Sequence, residues 1–107
     1  MELRSHPRYD VQCAISFKGD QVAGEGTLVN ISLGGYKIVV SDQTVPNGTY
    51  LSLLVDIPGE DSRIEVELAV VRWSKGREFG LEFLRMGAKE QERLRRYIRS
   101  LQAKSSS

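Results

Sequence analysis

The sequence NISLGG, residues 30–35, connects two segments in which apolar and polar residues alternate. Residues 25–29 before it and 36–40 after it are predicted to pair as the strands of a hairpin. Because strand side chains alternate between two faces, we expect one face in the core and the other outside. The core face is predicted to carry Thr27, Val29 and Ile31, and the outer face Leu28, Asn30 and Ser32. This pattern is typical of an ordinary hairpin with a polar surface, and also of a binding surface, because its glycines allow close approach of a ligand.

Four further segments alternate in the same way and are predicted to be strands. They cover residues 9–17, 51–57, 64–73 and 79–84, and turn-rich sequences separate them. In the longest segment, the side chains predicted to face inward are Ile64, Val66, Leu68 and Val70. Six strands with short connections predict a mainly β fold, a six-stranded antiparallel β-barrel over residues 9–84.

The periodicity changes after Gly87, where apolar residues recur at the spacing of a helix. A C-terminal α-helix is predicted over residues 88–102, with an apolar stripe that packs on the barrel. The stripe consists of Leu94, Tyr97, Ile98 and Leu101. Glu92 and Arg96 are spaced as a favourable ion pair. The arginines on the remaining surface form either a solvated face or a partner-binding face, and residues 103–107 are predicted to be disordered.

Composition is that of an ordinary globular domain, so a single domain is predicted over residues 1–107. With 107 residues and a net charge of +1, the chain does not have the basic character of a nucleic-acid binder. No apolar run is long enough to span a membrane, and residues 1–4 lack the apolar region of a signal peptide. We therefore expect a cytoplasmic protein.

The chemistry-bearing residues give no pattern of an enzyme. Cys13 is the sole cysteine, which excludes an internal disulfide, and one histidine beside it cannot complete a zinc site. We expect Cys13 to be a buried apolar residue. No paired carboxylates, activated nucleophile or metal cluster is recognisable, so neither catalysis nor a cofactor is expected.

The N-terminal segment carries two arginines, Arg4 and Arg8, on either side of Pro7. Proline disfavours a helical conformation in the residue before it, so residues 1–8 are predicted to form an extended, flexible arm. A guanidinium group binds phosphate oxygens and the O6/N7 edge of guanine through paired hydrogen bonds, and stacks on ring faces. The arm therefore suits an anionic, planar ligand, although a solvated basic tail is the simpler interpretation.

Read together, the arm and the hairpin resemble a known family. An R-x-x-x-R arm followed along the chain by [Asp/Asn]-x-Ser-x-x-Gly resembles the PilZ domain, the bacterial receptor for cyclic di-GMP. Arg4 and Arg8 match the first motif, and Asn30, Ser32 and Gly35 match the second. Weaker similarities at residues 70–73 and 79–83 extend the resemblance over nearly the whole chain. Asn30 departs from the commoner aspartate and lacks its negative charge.

The resemblance implies a binding site for cyclic di-GMP on the outside of the barrel. Arg4 and Arg8 would contact guanine edges and phosphates, while Asn30 and Ser32 would hydrogen-bond a guanine edge or orient an arginine. Gly35 would allow the ligand close to the main chain. Trp73 either stacks on a base or packs at the rim of the barrel. Lys37 and Arg72 are further candidates for phosphate contacts.

The resemblance also implies how the ligand would act. The arm would become ordered on binding, and an effector protein would recognise the new surface. Leu3, just before the arginine motif, offers no guanidinium for a second nucleotide, which predicts one nucleotide per chain. Two other functions remain open. One is a PilZ-fold interaction module that does not bind the nucleotide, and the other is a β-barrel that binds single-stranded nucleic acid.

Overall fold

The chain folds into a β-barrel with one helix, and the computed structural model describes residues 8–32, 36–59 and 63–105. The elements are β1 (Arg8–Lys18), β2 (Ala23–Ser32), β3 (Tyr36–Ser41), β4 (Tyr50–Val55), β5 (Ile64–Lys75), β6 (Glu78–Arg85) and α1 (Ala88–Ser105). Neighbouring strands are antiparallel in the order β1-β2-β3-β6-β5-β4, and β1 also pairs with β4, which closes the barrel. The predicted six-stranded antiparallel β-barrel with a C-terminal helix is confirmed.

The barrel interior is filled by side chains that alternate along each strand. On β1, Cys13, Ile15 and Phe17 are buried, as the sequence predicts. Phe17 meets Phe79 of β6 edge to face, with ring centroids 5.6 Å apart. The two rings link opposite sides of the barrel through a contact that is favourable beyond the area it buries.

Helix α1 packs on this core through the predicted stripe. Leu94 and Ile98 are buried, and Tyr97 and Leu101 are partly buried against the same cluster. The helix ends at Ser105, so the predicted end at residue 102 and the start of a disordered tail at 103 are too early. Within the described residues, no helix has the length and hydrophobicity needed to cross a membrane.

The charged face of α1 differs in detail from the prediction. Glu92 pairs with Arg95 at 3.1 Å and with Arg99 at 3.8 Å, and not with Arg96. The predicted pairing between residues 92 and 96 is therefore wrong, because nearby arginines compete for one carboxylate. These ion pairs are exposed, and each contributes about 0–1 kcal/mol.

Irregularities in the strand pairing overturn part of the predicted core. The pairing of β2 with β3 shifts between Leu28 and Asn30, which indicates a β-bulge at Val29. Leu28 and Ile31 are consequently both buried, whereas Thr27 and Val29 are only partly buried. The prediction that Leu28 faces outward and Thr27 and Val29 face the core is wrong, because a bulge changes the alternation.

The same effect occurs on β5 in its pairing with β4, because Leu51 and Leu53 are two residues apart whereas their partners Ala69 and Val66 are three residues apart. Ala69 and Val71 belong to the core cluster, while Leu68 is only partly buried. The predicted inward position of Leu68 is therefore wrong. Val70 is buried but does not belong to the core cluster. Its neighbours Ala69 and Val71 both face the core, so alternation turns Val70 to the other face of the strand.

Candidate functional site

The candidate site begins where the start of β1 pairs with the end of β2. In this antiparallel pair, Arg8 stands opposite Ser32, and Asp10 stands opposite Asn30. Arg8 and Asp10 share one side of β1 because they are two residues apart, and both are exposed. Arg8 is thus the first residue of a strand and not the end of an arm. The structure brings together three residues predicted to bind ligand: Arg8, Asn30 and Ser32.

The two polar residues of β2 differ in exposure. Asn30 is partly buried, whereas Ser32 is buried with 3% exposure. The prediction that both lie side by side on the outer surface is therefore wrong for Ser32. Its side chain is short and stands opposite the long side chain of Arg8, which fits its low exposure. Any ligand that reaches Ser32 must approach it closely.

Asn30 is oriented by a residue that the sequence interpretation did not identify. Its amide Nδ2 donates a hydrogen bond to Oδ1 of Asp10 over 3.3 Å. A carboxylate only accepts hydrogen bonds, so the amide must turn its NH₂ group toward Asp10 and its oxygen away. The available signal for Asp10 was its place two residues after Arg8 on an alternating strand, which puts both on the outer side.

Trp73 lies in the same row of residues as Asn30. The strand pairings connect Asp10 to Asn30, Asn30 to Ile38, Ile38 to Gly80, and Gly80 to Trp73. We call these five residues the outer rung. It runs across β1, β2, β3, β6 and β5, and so joins the hairpin motif to the end of the long strand.

The indole of Trp73 lies directly over Gly80. A Cβ atom at residue 80 would overlap the indole ring, so the absence of a side chain allows this close packing. β5 and β6 are joined by Gly76 and Arg77, and Gly76 has a φ of +61°, which sets this register. Trp73 keeps 36% exposure, so part of the side chain remains accessible.

Next to the outer rung, Arg72 forms an ion pair with Glu82. Its Nε and Nη2 atoms lie 2.7 and 2.6 Å from Oε1 of Glu82, and both side chains are well exposed. Arg72 stands at an irregularity in the pairing of β5 with β6, between Val71 and Trp73. Arg72 directly precedes Trp73 in the chain, but its guanidinium already holds a carboxylate, which a phosphate would have to displace.

The neighbouring row faces the barrel interior and contains Lys37. This inner rung consists of Tyr9, Ile31, Lys37, Leu81 and Val71. Lys37 is only 4% exposed, and its Nζ lies 4.4 Å from the ring centre of Phe83. Burial lowers the pKa of Lys37 to about 8, and the charge of Glu82 partly opposes this. As placed, Lys37 does not present its ammonium group to a phosphate on the outer surface.

Other parts of the molecule do not extend this site. Leu3, Arg4 and Gly35 lie outside the described residues. An open cleft of about 500 Å³ is lined by residues such as Asp20 and Tyr50, at the other end of β1. Arg8 is ten residues from the end of that strand, which corresponds to ~33 Å. Among the described residues, no group of three His, Cys, Asp or Glu side chains could hold a metal ion.

Comparisons with known proteins agree with this geometry. A family model described as PilZ domain matches residues 2–100. The structure of the Bacillus subtilis inhibitor of motility, MotI/DgrA, is similar, with a TM-score of 0.68 and 25% sequence identity. The similarity covers 94% of this chain and 52% of that chain, so this chain spans about half the length of MotI/DgrA. No curated protein matches the chain.

Proposed function

The chain belongs to the PilZ domain family, and from this membership we propose that it is a receptor for cyclic di-GMP. The observation that carries the proposal is the pairing of β1 with β2. It sets Arg8 opposite Ser32 and two residues from the rung that contains Asn30 and Trp73. Arg8 of the first motif therefore meets Asn30 and Ser32 of the second motif where β1 pairs with β2.

Each described residue has a role that follows from its chemistry. Arg8 is exposed and binds phosphate oxygens or the O6/N7 edge of guanine through its planar guanidinium. The outward oxygen of Asn30 accepts a hydrogen bond from a base. Trp73 stacks on a base, which contributes about 1–3 kcal/mol. Trp73 and Asn30 are three strand spacings apart in a closed six-stranded barrel, on opposite sides of its wall, so their contacts are tested separately.

The residues outside the described ranges complete the proposal. The segment before β1 closes over the nucleotide, with Arg4 as the second guanidinium, and becomes ordered as it does so. Gly35 admits the ligand to the main chain. Leu3 supplies no further positive charge, so one nucleotide binds per chain. The proposed setting is the cytoplasm, where the messenger would be sensed.

The proposed output is a protein contact. The similar structure is named as an inhibitor of motility, and this chain spans about half of that protein. In this chain, the ordered segment, the nucleotide and the nearby barrel surface would together form one face that a partner protein contacts. An effector protein distinguishes the nucleotide-bound chain from the free chain, because its affinity for that face differs between these two states.

Isothermal titration calorimetry with cyclic di-GMP tests the proposal, and a single-stranded oligonucleotide serves as the competing ligand. Wild type is expected to bind one cyclic di-GMP per chain and not the oligonucleotide. Arg8→Ala should abolish measurable binding, and Arg8→Lys should bind poorly because lysine lacks the planar fork. Arg63→Ala removes an exposed arginine near the start of β5 and is the matched control.

Four results would contradict parts of this proposal. Wild-type affinity in Arg8→Ala would remove Arg8 from the site, and binding of the oligonucleotide alone would favour the nucleic-acid alternative. A reproducible ratio of two nucleotides would show that Leu3 does not limit the stoichiometry. NMR relaxation of residues 2–6, with and without ligand, tests the ordering. Equal mobility in both states would refute closure of this segment.

A further inference from the structure

The pair formed by Asp10 and Asn30 presents two hydrogen-bond acceptors to the outside. One carboxylate oxygen of Asp10 accepts the amide of Asn30, and the other carboxylate oxygen remains. Because the amide NH₂ of Asn30 faces Asp10, its carbonyl oxygen is the second acceptor. Asp10 is exposed and Asn30 is partly buried, so both acceptors lie at the surface of the outer rung.

We propose that Asp10 determines the base specificity of the site by accepting hydrogen bonds from the Watson–Crick edge of guanine. This inference rests on the proposed function and adds a residue that lies outside both sequence motifs. The motif position that is commonly an aspartate is Asn30 in this chain, so Asn30 brings no charge. The carboxylate of Asp10 restores a negative charge at the same rung, from the neighbouring strand.

The chemistry of the bases explains why this pair would select guanine. The Watson–Crick edge of guanine carries two donors, N1–H and the N2 amino group, and the pair of Asp10 and Asn30 offers two acceptors. Adenine places an unprotonated N1 at this edge, and a carboxylate would repel it. Hypoxanthine keeps N1–H but lacks the amino group, so it loses one of the two hydrogen bonds. A buried or partly buried acceptor left without its donor weakens binding.

Asp10 also has a suitable position relative to Arg8. The two side chains project from the same side of β1, and Arg8 stands opposite Ser32 while Asp10 stands opposite Asn30. A guanine whose Watson–Crick edge meets Asp10 therefore lies beside a guanidinium that can bind phosphate or the O6/N7 edge of another base. The guanidinium of Arg8 and the carboxylate of Asp10 thus lie two residues apart along β1, where one can bind a phosphate while the other accepts hydrogen bonds from a base.

The test compares cyclic di-GMP with cyclic di-IMP, the analogue with two hypoxanthine bases, by calorimetry on the full chain. Wild type is expected to prefer cyclic di-GMP by roughly 10- to 100-fold, since one charge-assisted hydrogen bond is lost in the analogue. Asp10→Ala should lower the affinity for cyclic di-GMP and reduce the preference to about 3-fold or less. Asp10→Glu, which keeps the carboxylate, should recover part of the preference.

Asp20→Asn is the matched control, because it removes one exposed negative charge just beyond the other end of β1. It should keep the wild-type preference, and thermal unfolding should show that each variant remains folded. If Asp10→Ala retains the wild-type preference, the assignment of Asp10 is overturned while the proposed function stands. If wild type binds neither nucleotide, the proposed function is overturned, and the inference about Asp10 is overturned with it.

Discussion

The outer and inner rungs lie next to each other on the same five strands but have opposite character. The outer rung carries a carboxylate, an amide and an exposed indole, whereas the inner rung carries three fully buried apolar side chains and a buried lysine. On each strand, the outer-rung residue and the inner-rung residue are one or two positions apart in the sequence. The two-residue period of a strand thus divides one short stretch of sequence between a polar outer surface and the packed core.

This division makes the two rungs separable by mutation. Substitutions in the inner rung should change the stability of the barrel and leave the ligand contacts intact. Substitutions at the exposed outer-rung positions, Asp10 and Trp73, should change affinity and leave the stability nearly unchanged, because surface positions rarely affect folding strongly. A loss of affinity from an inner-rung substitution, or a large loss of stability at an exposed outer-rung position, would contradict this separation.

The largest effect is expected from Leu81→Ala in the inner rung. Leu81 is fully buried, and removing its side chain leaves a cavity that should lower the free energy of unfolding by about 2–5 kcal/mol. Denaturant-induced unfolding measures this change. Leu84→Ala on the same strand is the control, since Leu84 is 44% exposed. An equal loss in both variants would contradict the assignment of Leu81 to the packed face.

A change of similar size, but dependent on pH, is expected at Lys37. Folding lowers the pKa of Lys37 from 10.5 to about 8, chiefly through burial. Between these values the unfolded chain holds the proton more strongly than the folded chain, so this contribution to stability rises with pH. In Lys37→Met that rise is absent. The stability difference between wild type and variant should therefore change by about 3 kcal/mol between pH 7 and pH 10.5.

The pH experiment must use the stability difference between wild type and Lys37→Met, because Cys13 and Tyr97 also affect stability at alkaline pH. Their Sγ and Oη atoms lie 3.6 Å apart, and burial raises the pKa of both groups. The folded chain then keeps their protons to higher pH than the unfolded chain, so their contribution falls as pH rises past 9. Subtracting the stability of Lys37→Met from that of wild type cancels the contribution of Cys13 and Tyr97, since both proteins contain this pair. A difference that stays constant with pH would show that Lys37 titrates normally.

The smallest expected effect is on affinity, at Trp73 in the outer rung. Trp73→Ala should weaken cyclic di-GMP binding by about 1–3 kcal/mol, the contribution of one base stacked on an aromatic ring. Tyr50→Ala is the control, since Tyr50 is an aromatic residue with 60% exposure at the other cleft. Calorimetry distinguishes the two variants. Unchanged affinity in Trp73→Ala would limit the site to the β1–β2 end of the rung.

The sequence predicted the architecture because alternation and helical periodicity are strong signals in this chain. Cys13, Ile15 and Phe17 on β1, and Leu94 and Ile98 on α1, lie where their spacing placed them. The errors on β2 and β5 have one cause. A β-bulge inserts one residue without any special residue type at Val29 or near Leu68, so periodicity alone continues past it with the wrong face.

The candidate site was predicted less completely, because its geometry depends on pairing between distant strands. Asn30 and Arg8 were identified by motif, and the structure places them on adjacent strands. Asp10 was missed because alternation puts it on the outer side of β1 but does not show that it stands opposite Asn30. Lys37 was named as a candidate for a phosphate contact, and its burial beside Phe83 becomes visible only in the folded barrel.

β1 is attached unevenly, and this has a consequence for how the domain responds. Residues Ile15–Lys18 lie between β2 and β4, whereas Arg8 and Asp10 pair with β2 alone in the described part of the chain. A segment with one strand neighbour opens by local unfolding at a smaller free energy than the whole domain requires. The first half of β1 can therefore separate from β2 and return while the barrel stays closed. A nucleotide that bridges Arg8 and Asn30 would suppress this opening, so amide hydrogen exchange should slow there and remain unchanged in the core strands.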